Sequence, residues 1–308
     1  MRSKSTLLIA TSLLFFLPTA TYAWNKAGHM VTAAIAYREL KATDPQALAR
    51  VLALLKKHPH FSTTWQPQIE QVQPDDPDMF LFMLAARWPD DIRNTNLHCE
   101  KCHFTNFPFK PANQPASVVT QPPDQQNIVP AFRQKVSVLR SATASQPQKA
   151  MALAWIFHLI GDVHQPLHTS ALFTTLFPTG DRGGTRFFIR VEEDRATIKL
   201  HKFWDDLIIG SERFRSVQNR AAELHTRADL KRTALPELSE TRFEKWAKPE
   251  SFDAAVRHTY RNGTLEGSPD DQDGSVLPDD YAAAVKPIAE RRAALAGSRL
   301  ADFLKEDF

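Results

Sequence analysis

Cysteine is scarce in this chain, with two in 308 residues, which excludes a closed structural zinc site of three or four thiolates. No internal repeat or low-complexity array interrupts the sequence, which excludes solenoids and disordered tails and leaves one catalytic-sized domain with a sizeable core. After the N-terminus no apolar run approaches the length of a membrane span, so no stable membrane association is expected. The N-terminus itself reads as a secretory signal: Met-Arg-Ser-Lys, an apolar stretch from Leu7 to Leu17, then Pro18-Thr-Ala-Thr-Tyr-Ala23 with cleavage after Ala23. A mature protein of residues 24–308, secreted or periplasmic, is the expectation. Losing Arg2 and Lys4 leaves 36 basic against 35 acidic residues, a net charge of about +1. That balance excludes a broad basic face for duplex DNA, so a polyanionic substrate has to be gripped locally, by metal ions or a few arginines.

What the chain does have is a dense run from Trp155 to His168, Trp-Ile-Phe-His-Leu-Ile-Gly-Asp-Val-His-Gln-Pro-Leu-His, with three histidines and an aspartate among apolar residues. On a helix His158 and Asp162 share one face at i, i+4, the spacing at which two side chains can hold one ion. Pro166 ends the helix and His168 emerges beyond it. His201 and Asp205 repeat the i, i+4 device. A single such pair is usually a surface ion pair; two pairs with His168 point to metal. Cleavage after Ala23 would also expose the α-amine of Trp24 near His29, and a neutral amine is a competent zinc ligand, although on the residues alone an ordinary secreted N-terminus with a buried tryptophan is the stronger reading.

Apolar spacing predicts two helices between His29 and Leu55, divided at Asp44-Pro45, a surface loop from His58 to Asp78, and a helix near Met79–Arg87 that ends before Asp90 and Asp91. A long loop is expected from Phe104 to Gln126, then helices at Val129–Ser141, Gln148–Val163, Val217–Leu230, Phe243–Tyr260 and Tyr281–Leu304. The strand signal lies at Thr185–Val191, returning at Thr197–Leu200 as a small hairpin. The architecture expected is all-α: one mainly helical domain with a small β-hairpin.

Cys99-x-x-Cys102-His103 matches the attachment pattern of a c-type haem, which makes an electron-transfer cytochrome a rival of another class. A haem explains none of His158, Asp162, His168, His201 and Asp205. A disulfide between the two cysteines in an oxidising compartment is the plainer reading.

Taken together, Trp24, Gly28-His29, Trp88-Pro-Asp90-Asp-Ile-Arg93, His103-Phe104, His158-Leu-Ile-Gly-Asp162, Gln165-Pro-Leu-His168, Gly183-Gly184, His201-x-x-Trp204-Asp205, Glu250-Ser251 and Gly297-Ser-Arg-Leu-Ala301 resemble the S-one/P-one type of zinc-dependent, single-strand-specific nucleases, which have the phospholipase C/P-one nuclease fold. The resemblance implies three zinc ions: one on Asp90, His103, His158 and Asp162, a second on His168, His201 and Asp205, and a third on Trp24, His29 and the shared Asp162. It implies Asp162 and Arg93 in catalysis and Phe104 stacking on an unpaired base of single-stranded DNA or RNA. The products would carry 5′-phosphates, and 3′-nucleotides would also be substrates. Where fungal members have aspartate this chain has Asn106, placed by the resemblance with the catalytic residues, and the change bears on base preference and on the polar support of the site. His164 matches no family ligand and reads as structural. Zinc-dependent phospholipase C shares the fold and ligand order but typically ends its ligand set with glutamate, where this chain has Asp205. A zinc-storage protein would have no use for Arg93 and Phe104. A monomer is expected.

Overall fold

A computed structural model describes residues 24–308; the expected export signal lies outside the described residues. Helices dominate: α1 (Lys26–Thr43), α2 (Pro45–Leu55), α3 (Gln66–Val72), α4 (Pro77–Asp91), α5 (Ile128–Arg140), α6 (Gln146–Asp162), α7 (Leu200–Asp205), α8 (Phe214–Thr226), the single turns α9 (Phe243–Lys245) and α10 (Phe252–Ala254), and the long α11 (Tyr281–Asp307). Two small sheets complete the fold. Strands β1 (Phe107–Phe109) and β2 (Ser170–Leu172) pair in parallel, and β3 (Phe188–Arg190) pairs antiparallel with β4 (Ile198–Lys199) and parallel with β5 (Ser275–Val276). The mainly helical single domain expected from the sequence is the one observed.

The core forms around α1, which is buried on nearly every face because α4, α6, α8 and α11 all pack on it. Asp44 ends α1 and caps α2, accepting from the Ala47 N–H at 2.8 Å, with Pro45 at the first helical position. Helix α6 starts in a capping box between Ser145 and Gln148 and is then almost wholly buried from Ala150 to Asp162. Its side chains Leu153, Ile156, Phe157, Leu159 and Ile160 are fully buried, and each contributes roughly 1.5–3 kcal/mol.

Several expectations need correction. The stretch His58–Asp78 is no plain loop: it holds a π-turn at Phe61–Trp65 and α3, because Trp65 is buried against His58 and organises the chain around it. Helix α4 runs on through Pro89 to Asp91. Proline's fixed φ is compatible with a final turn, and Arg87 clasps Asp91 with two hydrogen bonds of 2.9 and 3.0 Å. The expected loop after Phe104 contains β1, whose partner β2 is distant in sequence. The hairpin gains β5, from the acidic stretch 270–280 that reads as a loop in the sequence, for the same reason. Phe243–Tyr260 is broken, not continuous: Lys248, preceding Pro249, is extended at φ −143°, ψ 121°.

Candidate metal centre

Five segments converge at the C-terminal end of α6. His158 and Asp162 come from α6 itself, His29 from the first turns of α1, Asp90 from the last turn of α4, and His103 from the short turn Glu100–His103. The Pro166–Thr169 turn supplies His168, and α7 supplies His201 and Asp205. Helices α1 and α6 approach so closely that a Cβ on Gly161 would lie 2.6 Å from His29 Nδ1. Only a glycine lets His29 sit beside Asp162. All eight side chains are 5% exposed or less, so the sequence-predicted histidines and aspartates are brought together as three buried groups: His29–His158–Asp162, Asp90–His103–His158 and His168–His201–Asp205.

The spacings are those of ligands around an ion. His158 Nε2 is 2.9 Å from His103 Nδ1, 3.2 Å from Asp162 Oδ2 and 3.8 Å from Asp90 Oδ1. His168 Nε2 and His201 Nε2 are 3.1 Å apart, with Asp205 Oδ2 3.7 Å from the latter, and His29 Nε2 is 3.2 Å from Asp162 Oδ1. A tetrahedral zinc with bonds of about 2.0–2.2 Å separates its ligand atoms by roughly 3.3 Å. Outward nitrogens settle the tautomers: the Nδ1–H of His158 donates to Ala86 O (2.8 Å), that of His168 to His103 O (2.6 Å) and that of His201 to Gly183 O (2.5 Å). The Nε2 atoms of His168 and His201 then face each other at 3.1 Å, an arrangement that a shared cation stabilises. His29 Nε2, Asp90 Oδ2, Asp162 Oδ1 and Asp205 Oδ2 are buried without a hydrogen-bond partner. The residues present therefore fit a group of metal ions.

Electrostatics agree. Burial alone would raise the carboxyl of Asp162, but the facing His158 and His168, with His103 Nδ1 3.0 Å from Oδ2, hold it well below the usual carboxylate range. Burial lowers His29 to about 4, with His158 adding to the effect, so its imidazole stays a neutral lone-pair donor. Asp205 is pushed the other way, well above the carboxylate range, by burial and by the neighbouring Asp206, Asp90 and Asp162. A cation in the cluster would reverse that push.

The remaining predicted residues lie around this centre. Arg93 donates to Asp90 Oδ1 through Nε (3.1 Å) and Nη2 (2.6 Å), so it steadies a candidate ligand. Phe104 follows His103 and is half-buried; its carbonyl accepts from the Ile128 N–H at 3.0 Å. Asn106 is also half-buried, and its chain neighbours Thr105 and Phe107 line a groove of about 380 Å³ together with Asn127, Val129 and Pro130. Trp24 is fully buried, and Asn25 ties it to the α7 segment through hydrogen bonds to Asp206 Oδ1 (2.9 Å) and Ile209 O (2.7 Å). His164 is structural: its Nδ1–H donates to Ile160 O at 2.7 Å and its Nε2 accepts from Arg299 at 2.7 Å. Sequence reasoning missed the orienting role of Gln165, whose Nε2 donates to Asp205 Oδ1 at 2.8 Å, and missed Asp181 altogether. Asp181's one sequence signal is its place just before Gly183-Gly184.

Cys99 and Cys102 form a disulfide, with Cα atoms 5.3 Å apart, and His103 sits with Asp90 and His158 in a group that could hold a metal ion. No thiol remains for a thioether, which overturns the cytochrome reading. The purified protein should be colourless, and Cys99→Ser/Cys102→Ser should keep most activity with a lower Tm. A Soret band, or loss of all activity in the well-folded double variant, would contradict this assignment.

A helical domain that closes around three groups of histidine and aspartate, without thiolates, has the build of a polynuclear metallohydrolase. The chain belongs to the S1/P1 nuclease family, whose sequence model matches residues 24–308. It is 32% identical over 168 residues to "Endonuclease 4" of Arabidopsis thaliana, covering 51% of this chain and 50% of the relative, and 32% identical to "Endonuclease 5" over 167 residues. The chain thus spans about half the length of these curated relatives. Against "Endonuclease 2" of the same plant the identity is 25%, over 98% of this chain and 96% of the relative. These relatives are endonucleases by name, in keeping with the family that the whole described chain matches.

Proposed function

We propose that the protein is an exported, zinc-dependent endonuclease that hydrolyses single-stranded DNA and RNA to products with 5′-phosphates and also acts on 3′-nucleotides. Residues 1–23 would be the export signal and residues 24–308 the nuclease domain, working as a monomer. The observation that carries this reading is the pair of imidazole nitrogens facing each other across 3.1 Å, their outer N–H groups anchored on Gly183 and His103 carbonyls. Asp90, His103, His158 and Asp162 would hold one ion, His168, His201 and Asp205 a second, and His29, Asp162 and the Trp24 amine and carbonyl a third. When bound, zinc supplies Lewis acidity: it polarises phosphoryl oxygens and makes water nucleophilic near neutral pH.

The protein's own groups do the rest. Asp162 turns Oδ1 towards His29 and Oδ2 towards His103 and His158, so one carboxylate links two of the groups. Arg93 holds Asp90 and brings positive charge to the edge of the centre, where it can interact more strongly with a pentacovalent phosphorus than with the resting diester. Phe104, half-buried and next to His103 in the chain, would be the aromatic on which a base stacks, and a base can stack only when unpaired, which favours single strands. Asn106 adds hydrogen-bonding capacity near that base. The endonuclease relatives and Asp205 in the last ligand position favour this reading over a phospholipase C.

The test is metal analysis joined to an assay. The mature protein should contain about three zinc ions, lose hydrolysis of single strands on EDTA treatment, and regain it with added zinc. Metal-free protein at full activity, or phospholipid cleavage without nucleic-acid cleavage, would overturn the proposal.

A further inference from the structure

Asp181 lies between β2 and the Gly183–Gly184 turn and is fully buried. Its Oδ1 accepts from the Leu172 N–H at 2.8 Å, and its Oδ2 from the Gly184 N–H at 2.9 Å and the Tyr260 hydroxyl at 2.7 Å; the Gly183 N–H also donates to it. The turn so gathered carries the carbonyl that fixes His201. Gly183 adopts φ +61°, and a Cβ there would lie 2.2 Å from Leu167 O, so the turn is pressed against the segment that carries His168. On its other side the His201 N–H donates to Gly184 O at 3.2 Å.

We propose that Asp181 is a positioning residue for the His168–His201–Asp205 metal group: by collecting three backbone amides and a tyrosine hydroxyl, it sets the Gly183 carbonyl that orients the His201 ring. This inference rests on the reading of that group as a zinc site. A ligand ring works only when held to within roughly 0.5 Å, and a carbonyl on a two-glycine turn has no such precision without an internal brace. Burial raises the Asp181 carboxyl to about 6, so keeping it ionised at neutral pH works against folding stability. A carboxylate retained against that cost fits a role in placing His201 better than a role in stabilising the fold.

Asp181→Asn tests the idea, because its NH₂ would confront either the Leu172 N–H or the Gly184 N–H and Tyr260 O–H. The expected result is loss of about one zinc per chain, or a 10- to 100-fold weaker affinity for one ion, with the others retained. Cobalt-substituted protein should lose one site's share of its visible absorption. Tyr260→Phe removes one donor and should shift the same ion in the same direction by less, which keeps the test open if Asp181→Asn does not fold. Leu40→Ala, about 16 Å from His29 along α1 at 1.5 Å per residue, is the stability control: Tm should fall with zinc content unchanged. Unchanged affinity in both site variants, or equal weakening of every ion, would overturn the inference. Wild-type protein without zinc would overturn the zinc reading and this inference with it, whereas zinc-loaded wild type with unaltered variants overturns the inference alone.

Discussion

Asp162→Asn should lower hydrolysis of single-stranded nucleic acid by roughly 10²- to 10⁴-fold and weaken metal binding in two groups at once. Asp162 is fully buried, with Oδ1 3.2 Å from His29 Nε2 and Oδ2 3.0 Å from His103 Nδ1. Removing one preorganised electrostatic contact costs about 2.7–4 kcal/mol in the transition state. At 1.36 kcal/mol per factor of ten that is a loss of about 10²- to 10³-fold, to which weakened metal binding adds. Asparagine also turns one oxygen into an NH₂ that cannot ligate. His158→Ala and His168→Ala should each abolish hydrolysis and empty their own groups. Asp91→Asn is the control, since Asp91 is exposed, pairs with Arg87 and Lys26 and belongs to none of the three groups. Rates and zinc content measured together decide the matter; wild-type behaviour in Asp162→Asn would refute the bridging role.

The second large effect is expected at the N-terminus. If Trp24 is the first residue of the active protein, its nitrogen is an amine; with anything before it the nitrogen is an amide, whose lone pair is delocalised into the carbonyl and cannot ligate. The residue is fully buried, and Asn25 is stitched to Asp206 and Ile209, so an added residue also has to find a way out of a packed site. A form beginning Met-Trp24 with methionine retained should bind fewer zinc ions and cleave single strands at least tenfold more slowly than the exported form, by analogy with the loss of a metal-supporting contact. Mass spectrometry of the first residue, zinc stoichiometry and rate in excess zinc make the comparison. Equal values would remove the α-amine from the ligand set.

Much of this centre was legible in the sequence because helical period converts i, i+4 spacing into a shared face: His158 with Asp162 and His201 with Asp205 needed no tertiary information. His29, Asp90 and His103 were legible only through the family resemblance, since their segments meet α6 through packing that no local pattern records. Asp90 was expected beyond the end of a helix but lies within α4, because a proline near a C-terminus gives the same local signal in either case. Strands β1 and β5 went unseen for a related reason. Each is a few residues long, and its partner, β2 or β3, is remote along the chain. Asp181 carried no periodic signal; a buried carboxylate braced by amides looks, in sequence, like any turn aspartate before glycine.

Gly161 carries a consequence for anyone who would engineer this protein. It occupies the last turn of α6, where a stability-minded redesign would substitute alanine to gain about 0.5–1 kcal/mol of helix propensity. The methyl group would have to occupy space 2.6 Å from His29 Nδ1, so the gain would be taken from the alignment of α1 with Asp162. The hydrogen atom in place of a side chain is thus part of the specification of the site, and a redesign scored on folding alone would erase it.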